Sequence, residues 1–338
     1  MENKKIKIAI DYLKRKQLFW YIMDKIAIFY PSFLFKKIPR ENIVEPTNFC
    51  NLRCPVCPTS FAMKRERGFM SLGLFKNIID EFKNIKNKPK ILMNFAGEPL
   101  LNKDIDKFVK YASENGHETF ISTNCTVLDK ELSEKLIKAG LSSIHLCIDG
   151  ITKESHEAYR VGSKFEVVKE NIEIFLENKR KLNGKTFVSI QVLLTSFSEN
   201  EIEKIKEWAE KIGADNINFK SLSLGSHTSE ERKNEYKYLL PKKREYRRKI
   251  SDINKTLCTA VLNTAVIYWN GDLGLCCIDY NNVVKMPNIK EKSFLKIYLS
   301  KEIIKKRKAG FRKKFILCKK CPLSNADFMG INVNFSKK

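Results

Sequence analysis

Residues 42–225 alternate short apolar runs with longer amphipathic stretches six times, and this alternation constrains the fold more than any other feature of the chain. The apolar runs predict strands, and the stretches between them predict helices because their apolar residues recur at helical spacing. Strands and helices in alternation form a parallel sheet with helices packed outside it, and eight such units close a full barrel. We therefore expect an α/β fold with a partial (β/α)6 TIM-like barrel over 42–225. The expected strands are 43–46, 91–95, 118–123, 143–148, 187–195 and 216–222, and the expected helices are 71–86, 103–115, 129–139, 165–182 and 199–212, with caps at Ser71, Asp129 and Ser198.

The first 41 residues are basic and rich in aromatic side chains, and their apolar residues recur at roughly helical spacing until Pro31 and Pro39 interrupt the pattern. This predicts an amphipathic segment over 1–41, which either packs against the barrel or makes peripheral contact with a membrane or a partner. No stretch in it is apolar for long enough to be a signal peptide or a membrane span. We therefore expect a cytoplasmic protein, in which clustered thiols indicate metal binding or catalysis rather than disulfides.

The chain changes character after the sixth repeat. Two short β runs, 264–269 and 273–277, are joined by Asn270-Gly271, which is a strong hairpin-turn signal, and a helix is expected over 293–308. The C-terminal part is therefore predicted to be a small β-hairpin and helix domain that carries the later cysteines. The expected divisions are a helical connector over 226–255, an auxiliary domain over 256–325 and a C-terminal tail over 326–338.

The chain carries a formal net charge of +24, from 63 Lys and Arg against 39 Asp and Glu. A field of this sign favours anionic partners, such as phosphorylated substrates, acidic peptides, nucleic acid or anionic lipid. The alternative is a lysine-rich background, since the lysines are spread along every helix. The sequence has no RNA-binding signature of the RRM or KH type, which disfavours nucleic acid. We expect a small-molecule or peptide substrate, and the charge favours an anionic one.

Three cysteines, Cys50, Cys54 and Cys57, lie within eight residues directly after the first expected strand. Catalytic groups of βα barrels lie on the loops that follow the strands, so this loop is placed for chemistry. A structural zinc takes four protein ligands, and no histidine lies near enough in sequence to complete the set. An iron–sulfur cluster with three thiolate ligands leaves one iron open for another molecule. The loop therefore predicts such a cluster, with a zinc knuckle or unconnected buried thiols as the alternatives.

The Cys50-x3-Cys54-x2-Cys57 spacing resembles the signature of the radical S-adenosylmethionine (SAM) superfamily. The resemblance implies a [4Fe–4S] cluster whose open iron binds SAM. It also implies reductive cleavage of SAM to a 5′-deoxyadenosyl radical that abstracts hydrogen from a substrate, with an electron donor such as a flavodoxin or a ferredoxin. The residue before the third cysteine is often aromatic in the family, and Val56 stands there in this chain.

Further segments that resemble the family's SAM-binding residues follow at the ends of successive strands. Gly97-Glu98-Pro99 matches the segment that holds the SAM amino group, and Ser122 and Asn124 match the segment near the ribose. Cys125 stands where the family usually has glycine, so the turn there is expected to differ. The other implied cofactor-binding residues are Asp149 after the fourth strand, Arg160 as partner of the SAM carboxylate, and Gln191 and Leu193 near adenine.

A second group of cysteines lies in the C-terminal part. Its spacing resembles the SPASM extension of radical SAM proteins, or its shortened relative Twitch, and implies one auxiliary [4Fe–4S] cluster with four cysteine ligands. Taken alone, the four cysteines suit a zinc ribbon equally well. Cys277 is expected to point to the opposite strand face and to be a spare, with an exchange of roles between Cys276 and Cys277 as the alternative if the strand register differs. The implied ligands are Cys258, Cys276, Cys318 and Cys321.

Alternation along a strand indicates which side chains face the barrel interior. If Asp149 faces SAM, then His145 and Cys147 share its face of the fourth strand. Lys220 and Asn218 face inward from the sixth strand by the same argument. Inward polar residues on a parallel strand are unusual, so we expect Lys220, Asn218 and His145 to contact the substrate, with satisfied buried polar groups as the alternative. Cys147 is also a candidate for returning a hydrogen atom to a substrate radical, against its ordinary interpretation as a small buried hydrophobe.

The resemblance implies an oxidoreductase. We expect a radical SAM dehydrogenase in which the auxiliary cluster accepts an electron, giving a two-electron oxidation of a small polar or sugar-like substrate, as in the Twitch-bearing alcohol dehydrogenases of aminoglycoside biosynthesis. Epimerisation, dehydration and maturation of a ribosomal peptide are alternatives within the family, since one fold supports many reactions. Outside the family, the alternatives are a nucleic-acid- or membrane-associated modifier and a zinc-binding interaction protein without enzymatic activity.

Overall fold

Six parallel strands form the centre of the molecule, in a computed structural model that describes residues 35–224, 229–247, 249–250, 257–319, 321, 326–327 and 331–335. Each of these strands pairs in parallel with the next, so the expected partial barrel is confirmed. The six strands are β1 (Glu41–Val44), β2 (Lys90–Met93), β3 (Thr119–Thr123), β4 (Ser143–Cys147), β5 (Phe187–Leu194) and β6 (Asn216–Ser221). The other described strands are β7 (Lys249–Ile250), β8 (Thr264–Ile267), β9 (Leu273–Gly274), β10 (Ala326–Asp327) and β11 (Ile331–Asn334).

Helices connect the strands and cover the outside of the sheet. In the barrel they are α1 (Pro58–Phe61), α2 (Leu72–Asp80), α3 (Ile105–Glu114), α4 (Lys130–Lys138), α5 (Lys153–Glu157), α6 (Phe165–Lys181) and α7 (Ile202–Lys211). After the barrel they are α8 (Glu230–Glu235), α9 (Ala260–Asn263), α10 (Phe294–Tyr298), α11 (Lys301–Phe311) and α12 (Ile316–Lys319). Short 3-10 turns lie at Pro99–Leu101, Lys237–Leu239 and Arg244–Tyr246.

Each central strand divides its residues between two environments. Ile144 and Leu146 of β4 are fully buried in the main apolar core, which the strands share with the outer helices. His145, between them, lies on the opposite face and pairs in register with Ser122 of β3 and Ser189 of β5. The sheet therefore packs one face on helices and turns the other toward the barrel interior.

The sheet extends beyond the six expected strands at both edges. The hairpin strand β8 pairs in parallel with β1, and β9 pairs antiparallel with β8. At the other edge, β11 pairs antiparallel with β6, so part of the expected tail over 326–338 is a strand of the barrel sheet. Among the described residues this sheet has nine strands, in the order β11-β6-β5-β4-β3-β2-β1-β8-β9. The hairpin was expected in a separate auxiliary domain, and its pairing with β1 instead builds that domain onto the barrel edge.

Two of the three expected helix caps are present. The side chains of Ser71 and Asp129 accept hydrogen bonds from backbone N–H groups at the starts of α2 and α4. The expected cap Ser198 is wrong, because α7 begins after Glu201 and the Ser198 hydroxyl accepts a bond from Thr195 N. The helix expected over 293–308 is divided into α10 and α11, since Ser300 caps a new helix start.

The expected amphipathic segment over 1–41 lies mostly outside the described residues, which begin at Phe35. In the part of the chain that the structure does describe, none of the helices has the length and apolar character needed to cross a bilayer. The connector over 226–255 is described in part and contains α8, two 3-10 turns and β7.

Candidate active site and auxiliary cysteine site

The loop after β1 carries Cys50, Cys54 and Cys57 to the carboxyl end of the sheet. Cys54 is buried, and the other two are half-buried. The turn is closed by a hydrogen bond from Cys57 N to the Cys54 carbonyl at 3.2 Å. Arg53 N donates to the Val161 carbonyl at 2.9 Å and ties the loop to the segment after β4. The three thiols therefore lie on one short, fixed turn at the barrel mouth.

The protonation of these thiols is controlled by burial. Burial raises the pKa of Cys50, and it raises the pKa of Cys54 to about 12, while the positive charge of Arg160 opposes the rise at Cys54. Metals bind the thiolate, so a ligated metal has to supply the free energy of deprotonation in such surroundings.

Gly97 places the segment after β2 directly against the cysteine loop. Its φ is +85°, and a Cβ there would lie 2.5 Å from the Phe49 carbonyl and 2.6 Å from the Thr47 carbonyl. Glu98 N donates to the Phe49 carbonyl at 2.7 Å. Only glycine allows both this conformation and this close backbone approach.

The Glu98 carboxylate connects the ends of β2 and β3. It accepts hydrogen bonds from Thr123 Oγ1 at 2.7 Å, from Asn124 N at 2.8 Å and from Leu100 N at 3.1 Å. Burial raises its pKa, and these hydrogen bonds oppose the rise. Pro99 is buried at the start of a 3-10 turn. The Glu98 carboxylate is thus occupied by hydrogen bonds within the protein. It holds the segments after β2 and β3 together, and both segments were expected to bind SAM.

The segment after β3 is bound to the cysteine loop by its amide side chain. Asn124 Nδ2 donates to Asn51 Oδ1 at 3.0 Å. Cys125 is fully buried and has a φ of +63°, so it adopts the left-handed conformation that glycine adopts most readily. That the turn at Cys125 differs from the family's stays a prediction. Ser122 lies on the interior face, with its hydroxyl 3.5 Å from the Cys147 thiol.

Asp149 and Arg160 form a buried ion pair beneath the cysteine loop. Arg160 Nε donates to Asp149 Oδ2 at 2.5 Å, and Asp149 Oδ1 accepts from Leu193 N at 2.8 Å. Both carboxylate oxygens of Asp149 are therefore engaged by this chain. The Asp149 carboxylate therefore orients the Arg160 side chain and does not face the barrel interior with a free oxygen. The ion pair uses Nε of Arg160, so the Nη groups of the guanidinium can still donate hydrogen bonds to a ligand.

One wall of the barrel interior, formed by β3 to β6, is polar. His145 Nδ1 is 3.1 Å from Gln191 Oε1, and Gln191 Nε2 donates to the Cys147 thiol at 3.4 Å. Burial, followed by the charge of Lys220, lowers the pKa of His145 to about 4, so its ring is neutral at pH 7. Burial raises the pKa of the Cys147 thiol. We call this surface the polar wall, and its members are Ser122, His145, Cys147, Gln191, Asn218 and Lys220.

The opposite wall, formed by β8, β1 and β2, is apolar. Its residues form a cluster separate from the main core, because their strand neighbours face the helices. We call this surface the apolar wall. Its buried members are Ile43, Val266 and Tyr268, with Leu92, Phe95 and Cys277 packed against them.

The connector covers the cysteine loop, which the sequence did not predict. Arg232 of α8 donates from Nε and Nη2 to the Pro55 carbonyl, at 3.0 and 2.6 Å, and its guanidinium lies 4.3 Å from the ring centre of Phe61. Leu239 is fully buried in an apolar cluster with Cys54 and Val56. The charge pattern of this segment gave no signal for these contacts, because they depend on tertiary packing.

The later cysteines gather around one cavity beside β8 and β9. Its lining includes Cys258, Cys276, Cys277 and Cys321, and Cys318 lies one turn before Cys321, whose N–H donates to the Cys318 carbonyl at 3.3 Å. The expectation that Cys277 points away is wrong. β9 ends at Gly274, so strand alternation does not extend to Cys276 and Cys277.

Arg65 joins the cysteine loop to the auxiliary segment. Its guanidinium makes hydrogen bonds of 2.6 and 3.0 Å to the buried Glu45 carboxylate and lies 4.1 Å from the ring centre of Tyr268. Its Nε donates to the Tyr280 carbonyl at 2.7 Å. The Glu45 carboxylate also accepts from Trp269 N at 3.1 Å. Bonded side chains therefore fix the two cysteine-bearing segments to each other.

Tyr280 is tied to the cysteine loop through its carbonyl, which accepts the hydrogen bond from Arg65. Its ring stacks on Phe95 of the apolar wall, with ring centres 5.2 Å apart. Burial raises the pKa of its phenol, and nearby Cys277 and Cys57, one from each site, raise it further.

The match to known families decides between a zinc protein and a cluster enzyme. A model of the radical SAM superfamily matches residues 44–209, and a model of an iron–sulfur cluster-binding domain, SPASM, matches residues 258–322. The chain belongs to the radical SAM superfamily. It is a radical SAM enzyme with a C-terminal SPASM domain, and the resemblance drawn from the sequence is confirmed.

Similar proteins place this radical SAM chain among enzymes of different reactions. It is 31% identical over 177 residues to an AdoMet-dependent heme synthase of Methanosarcina barkeri, which is 52% of this chain and 48% of that protein. The match thus spans about half of the relative's length.

Two solved structures show the same fold. One is BtrN in complex with AdoMet and 2-DOIA, with a TM-score of 0.55, 21% identity and coverage of 84% of this chain and 93% of the other. The second is Streptococcus suis SuiB bound to its precursor peptide SuiA, with a TM-score of 0.61, 19% identity and coverage of 85% and 70%. At these identities the likeness shows the fold alone.

The two domains of this radical SAM enzyme imply SAM, a SAM-binding [4Fe–4S] cluster and an auxiliary [4Fe–4S] cluster. The residues present fit this set. Three thiols on one turn suit a cluster with one open iron, and at Gly97 the backbone lies where a Cβ would collide. Of the four implied auxiliary ligands, Cys258, Cys276 and Cys321 line the second cavity, and Cys318 lies one turn before Cys321. Among the described residues, no three His, Cys, Asp or Glu side chains are close enough together to hold a single metal ion.

Proposed function

We propose that this radical SAM enzyme catalyses a two-electron oxidation of a small polar or sugar-like substrate, with the auxiliary cluster as electron acceptor. The observation that carries the proposal is the position of Tyr280, whose carbonyl accepts a hydrogen bond from Arg65 of the cysteine loop and whose ring stacks on Phe95 of the apolar wall, in the same segment as Cys276 and Cys277. A substrate in the barrel interior would therefore lie close to both sites. The polar wall opposite supports a polar substrate.

The cofactors supply the radical chemistry when bound: SAM cleavage gives a radical that removes one hydrogen atom from a substrate carbon, and the auxiliary cluster takes up the electron that this carbon then loses. We propose that Cys50, Cys54 and Cys57 hold the first cluster. The auxiliary cluster would be held by Cys258, Cys318 and Cys321 together with Cys276.

The residues around the mouth would bind and orient SAM. Backbone groups of Gly97 and Glu98 form the rigid segment against the cysteine loop. Arg160, oriented by Asp149, would donate its remaining N–H groups to the SAM carboxylate. The expected role of Glu98 is then indirect, since its carboxylate holds the segments after β2 and β3 together.

The remaining expected SAM contacts lie on the same side of the mouth. Asn124 is bonded to the cysteine loop through Asn51. Leu193 packs against an apolar cluster that includes Cys54 and Val56 and would give adenine an apolar contact in place of an aromatic ring. Ser122 and Gln191 complete the set assigned from the sequence.

The polar wall would orient the substrate and hold its protons. His145 is neutral at pH 7 and is fixed by Gln191, so it can accept or share a hydrogen bond without carrying charge. Oxidation of an alcohol also releases one proton from the substrate hydroxyl. With a pKa of about 4, His145 is too weak a base to keep that proton, so its ring would hold the hydroxyl proton in a hydrogen bond before the proton passes to solvent.

Cys147 favours a second candidate, epimerisation. Its buried thiol lies on the polar wall between Ser122 and Gln191, where it could return a hydrogen atom to a substrate carbon radical. The resulting thiyl radical would then need one electron and one proton, with a flavodoxin or ferredoxin as the electron source. If Cys147→Ala leaves product and turnover unchanged, Cys147 is not the donor.

A peptide substrate is the alternative that the similar proteins support. SuiB was solved with its precursor peptide, and it shares this chain's fold. The heme synthase relative supports a small-molecule substrate equally.

The test of the proposal removes one auxiliary thiol. Cys321→Ala should reduce iron from about eight to about four per chain while SAM cleavage continues, because two four-iron clusters have separate ligands. The oxidised product should be lost. Cys125→Ala is the matched control, since Cys125 is a buried thiol outside both cysteine sites. Full oxidation by the Cys321 variant, with iron reduced, would contradict the proposed electron acceptor.

A further inference from the structure

The polar wall contains a cation without a counter-charge. Lys220, near the end of β6, is half-buried and faces the barrel interior. Among the described residues, no carboxylate pairs with its ammonium group, and no hydrogen-bond acceptor contacts it. Lys220 differs in this from the lysines that do form ion pairs. Most of those lie on exposed helix surfaces and pair with a Glu or Asp three or four residues away.

The carboxylates nearest the barrel mouth are already engaged. Asp149 binds Arg160 and Leu193 N, and Glu98 binds three donors of its own chain. Burial lowers the pKa of Lys220. Among the described residues, the one side chain able to form an anion that opposes this effect is the Cys147 thiol. Cys147 itself is held protonated by burial, so it does not balance the charge. The positive charge of Lys220 therefore has no internal partner.

Register places Lys220 beside the groups expected to contact substrate. It lies opposite Leu193 of β5, while Asn218, two residues earlier on the same face, lies opposite Gln191. Gln191 in turn lies opposite Cys147 of β4. The positive charge of the ammonium also lowers the pKa of His145, two strands away on β4. Lys220 is thus one strand removed from Gln191 and two strands removed from the Asp149–Arg160 pair.

A buried ammonium that lacks a partner is unfavourable, and a ligand that brings the opposite charge into the site recovers that free energy. We propose that Lys220 binds an anionic group of the substrate, a carboxylate or a phosphate, with Asn218 beside it as a neutral donor. The anion-binding role of Lys220 rests on the proposed function in one respect, which is that the substrate binds inside the barrel. The inference deepens that function, since it makes the substrate an acid or a phosphate ester rather than a neutral sugar.

The test uses phosphate and malonate as probes on the full chain with both clusters and SAM bound. Trace acetylation under anaerobic conditions reports the accessibility and charge of each lysine by mass spectrometry. Phosphate or malonate should slow acetylation of Lys220 several-fold at matched ionic strength, because an occupied ammonium is shielded. Malonamide, which has the shape of malonate without its charge, should not. Lys185, which is exposed before β5, is the internal control and should react equally in every sample.

Substitutions distinguish the role of Lys220 from that of Lys90, which also faces the barrel interior. Lys90 lies at the opposite end of the barrel, 5.6 Å from the ring centre of Phe120. Lys220→Met should abolish binding of radiolabelled malonate to the chain with both clusters and SAM bound, whereas Lys90→Met should leave that binding intact. Lys220→Arg should retain part of it.

Three outcomes would overturn the inference. Equal protection by malonamide would show that charge is not recognised, and no protection by either anion would show that no anion site exists. Protection by SAM alone, relative to the cluster-loaded enzyme without SAM, would assign Lys220 to the cofactor carboxylate. Protection by phosphate but not malonate, or the reverse, would support the inference and identify the anion. Because labelling needs no turnover, these outcomes are independent of whether the enzyme oxidises its substrate.

Discussion

At the scale of single residues, the site depends on backbone conformations and buried groups that have few substitutes. Gly97 needs both a positive φ and the absence of a Cβ, whereas Cys125 has a positive φ although it carries a side chain. His156 is fully buried beneath the Asp149–Arg160 pair. Each of these features has a measurable consequence.

Gly97→Ala should destabilise the protein by about 3 kcal/mol or more, because the new Cβ meets two backbone carbonyls that cannot move away. Urea unfolding at equilibrium measures this change. Gly116→Ala is the matched control, since its φ is +78° and nothing lies within 4 Å of the added Cβ. Its cost should be about 1 kcal/mol, from conformation alone. Equal costs at the two positions would show that the close approach at Gly97 contributes nothing.

The protein should lose stability on acidification through His156. Its Nδ1 accepts a hydrogen bond from Asp149 N at 3.2 Å, and burial lowers its pKa from 6.5 to about 4. Between these two values the unfolded chain binds a proton that the folded chain excludes, so falling pH favours unfolding. The loss amounts to about 3 kcal/mol by pH 4.

The measurement is the free energy of unfolding between pH 7 and 4, for the wild type and His156→Gln. Gln keeps an acceptor for Asp149 N and does not titrate, so the variant should show a flatter dependence. Identical slopes would mean that His156 is not excluded from protonation in the folded state.

At the scale of elements, periodicity predicted the six barrel strands, each within about two residues of its observed ends, because half of every strand faces a buried helix layer. Boundaries that depend on hydrogen bonds between distant or irregular segments were not visible. Ser198 resembles a cap but bonds to Thr195, and Ser300 interrupts what sequence periodicity presents as one helix. The position of α8 over the cysteine loop has no local signal at all.

Arg232→Ala should loosen the cysteine loop. The change removes two hydrogen bonds to the Pro55 carbonyl, which lies between Cys54 and Cys57. A hydrogen bond to a charged group contributes about 1.5–3 kcal/mol, and these two are partly buried, so iron in the SAM-binding site should become accessible to a chelator several-fold faster. The rate of iron loss to bathophenanthroline measures it. Lys233→Ala is the control, because Lys233 pairs only with Glu230 of its own helix, and an equal rate in both variants would contradict the role of α8.

At the scale of the whole molecule, the barrel is completed by segments distant in the chain. β8 pairs with β1 across more than two hundred residues, and β11 closes the other edge against β6. Pairing of this kind cannot be derived from local pattern, which is why the sequence predicted a separate hairpin domain and a free tail. The same packing brings Cys277 into the auxiliary cavity, although alternation along an extended strand would have turned it away.

The interior that results has two unlike walls. An apolar wall leads through Phe95 and Tyr280 toward the auxiliary cysteines, and a polar wall presents Cys147, His145 and Lys220. The cysteine motifs were predicted from spacing, since their chemistry is local. The engagement of Glu98 and Asp149 by their own chain was not, because it depends on which strand ends meet.

The most direct test of the central claim is anaerobic reconstitution with iron and sulfide, followed by reduction in the presence of SAM and assay of 5′-deoxyadenosine. We predict about eight irons per chain with formation of 5′-deoxyadenosine, and loss of that product with about four irons retained in Cys50→Ala. Tightly bound zinc in place of iron, with no 5′-deoxyadenosine formed, would contradict the account.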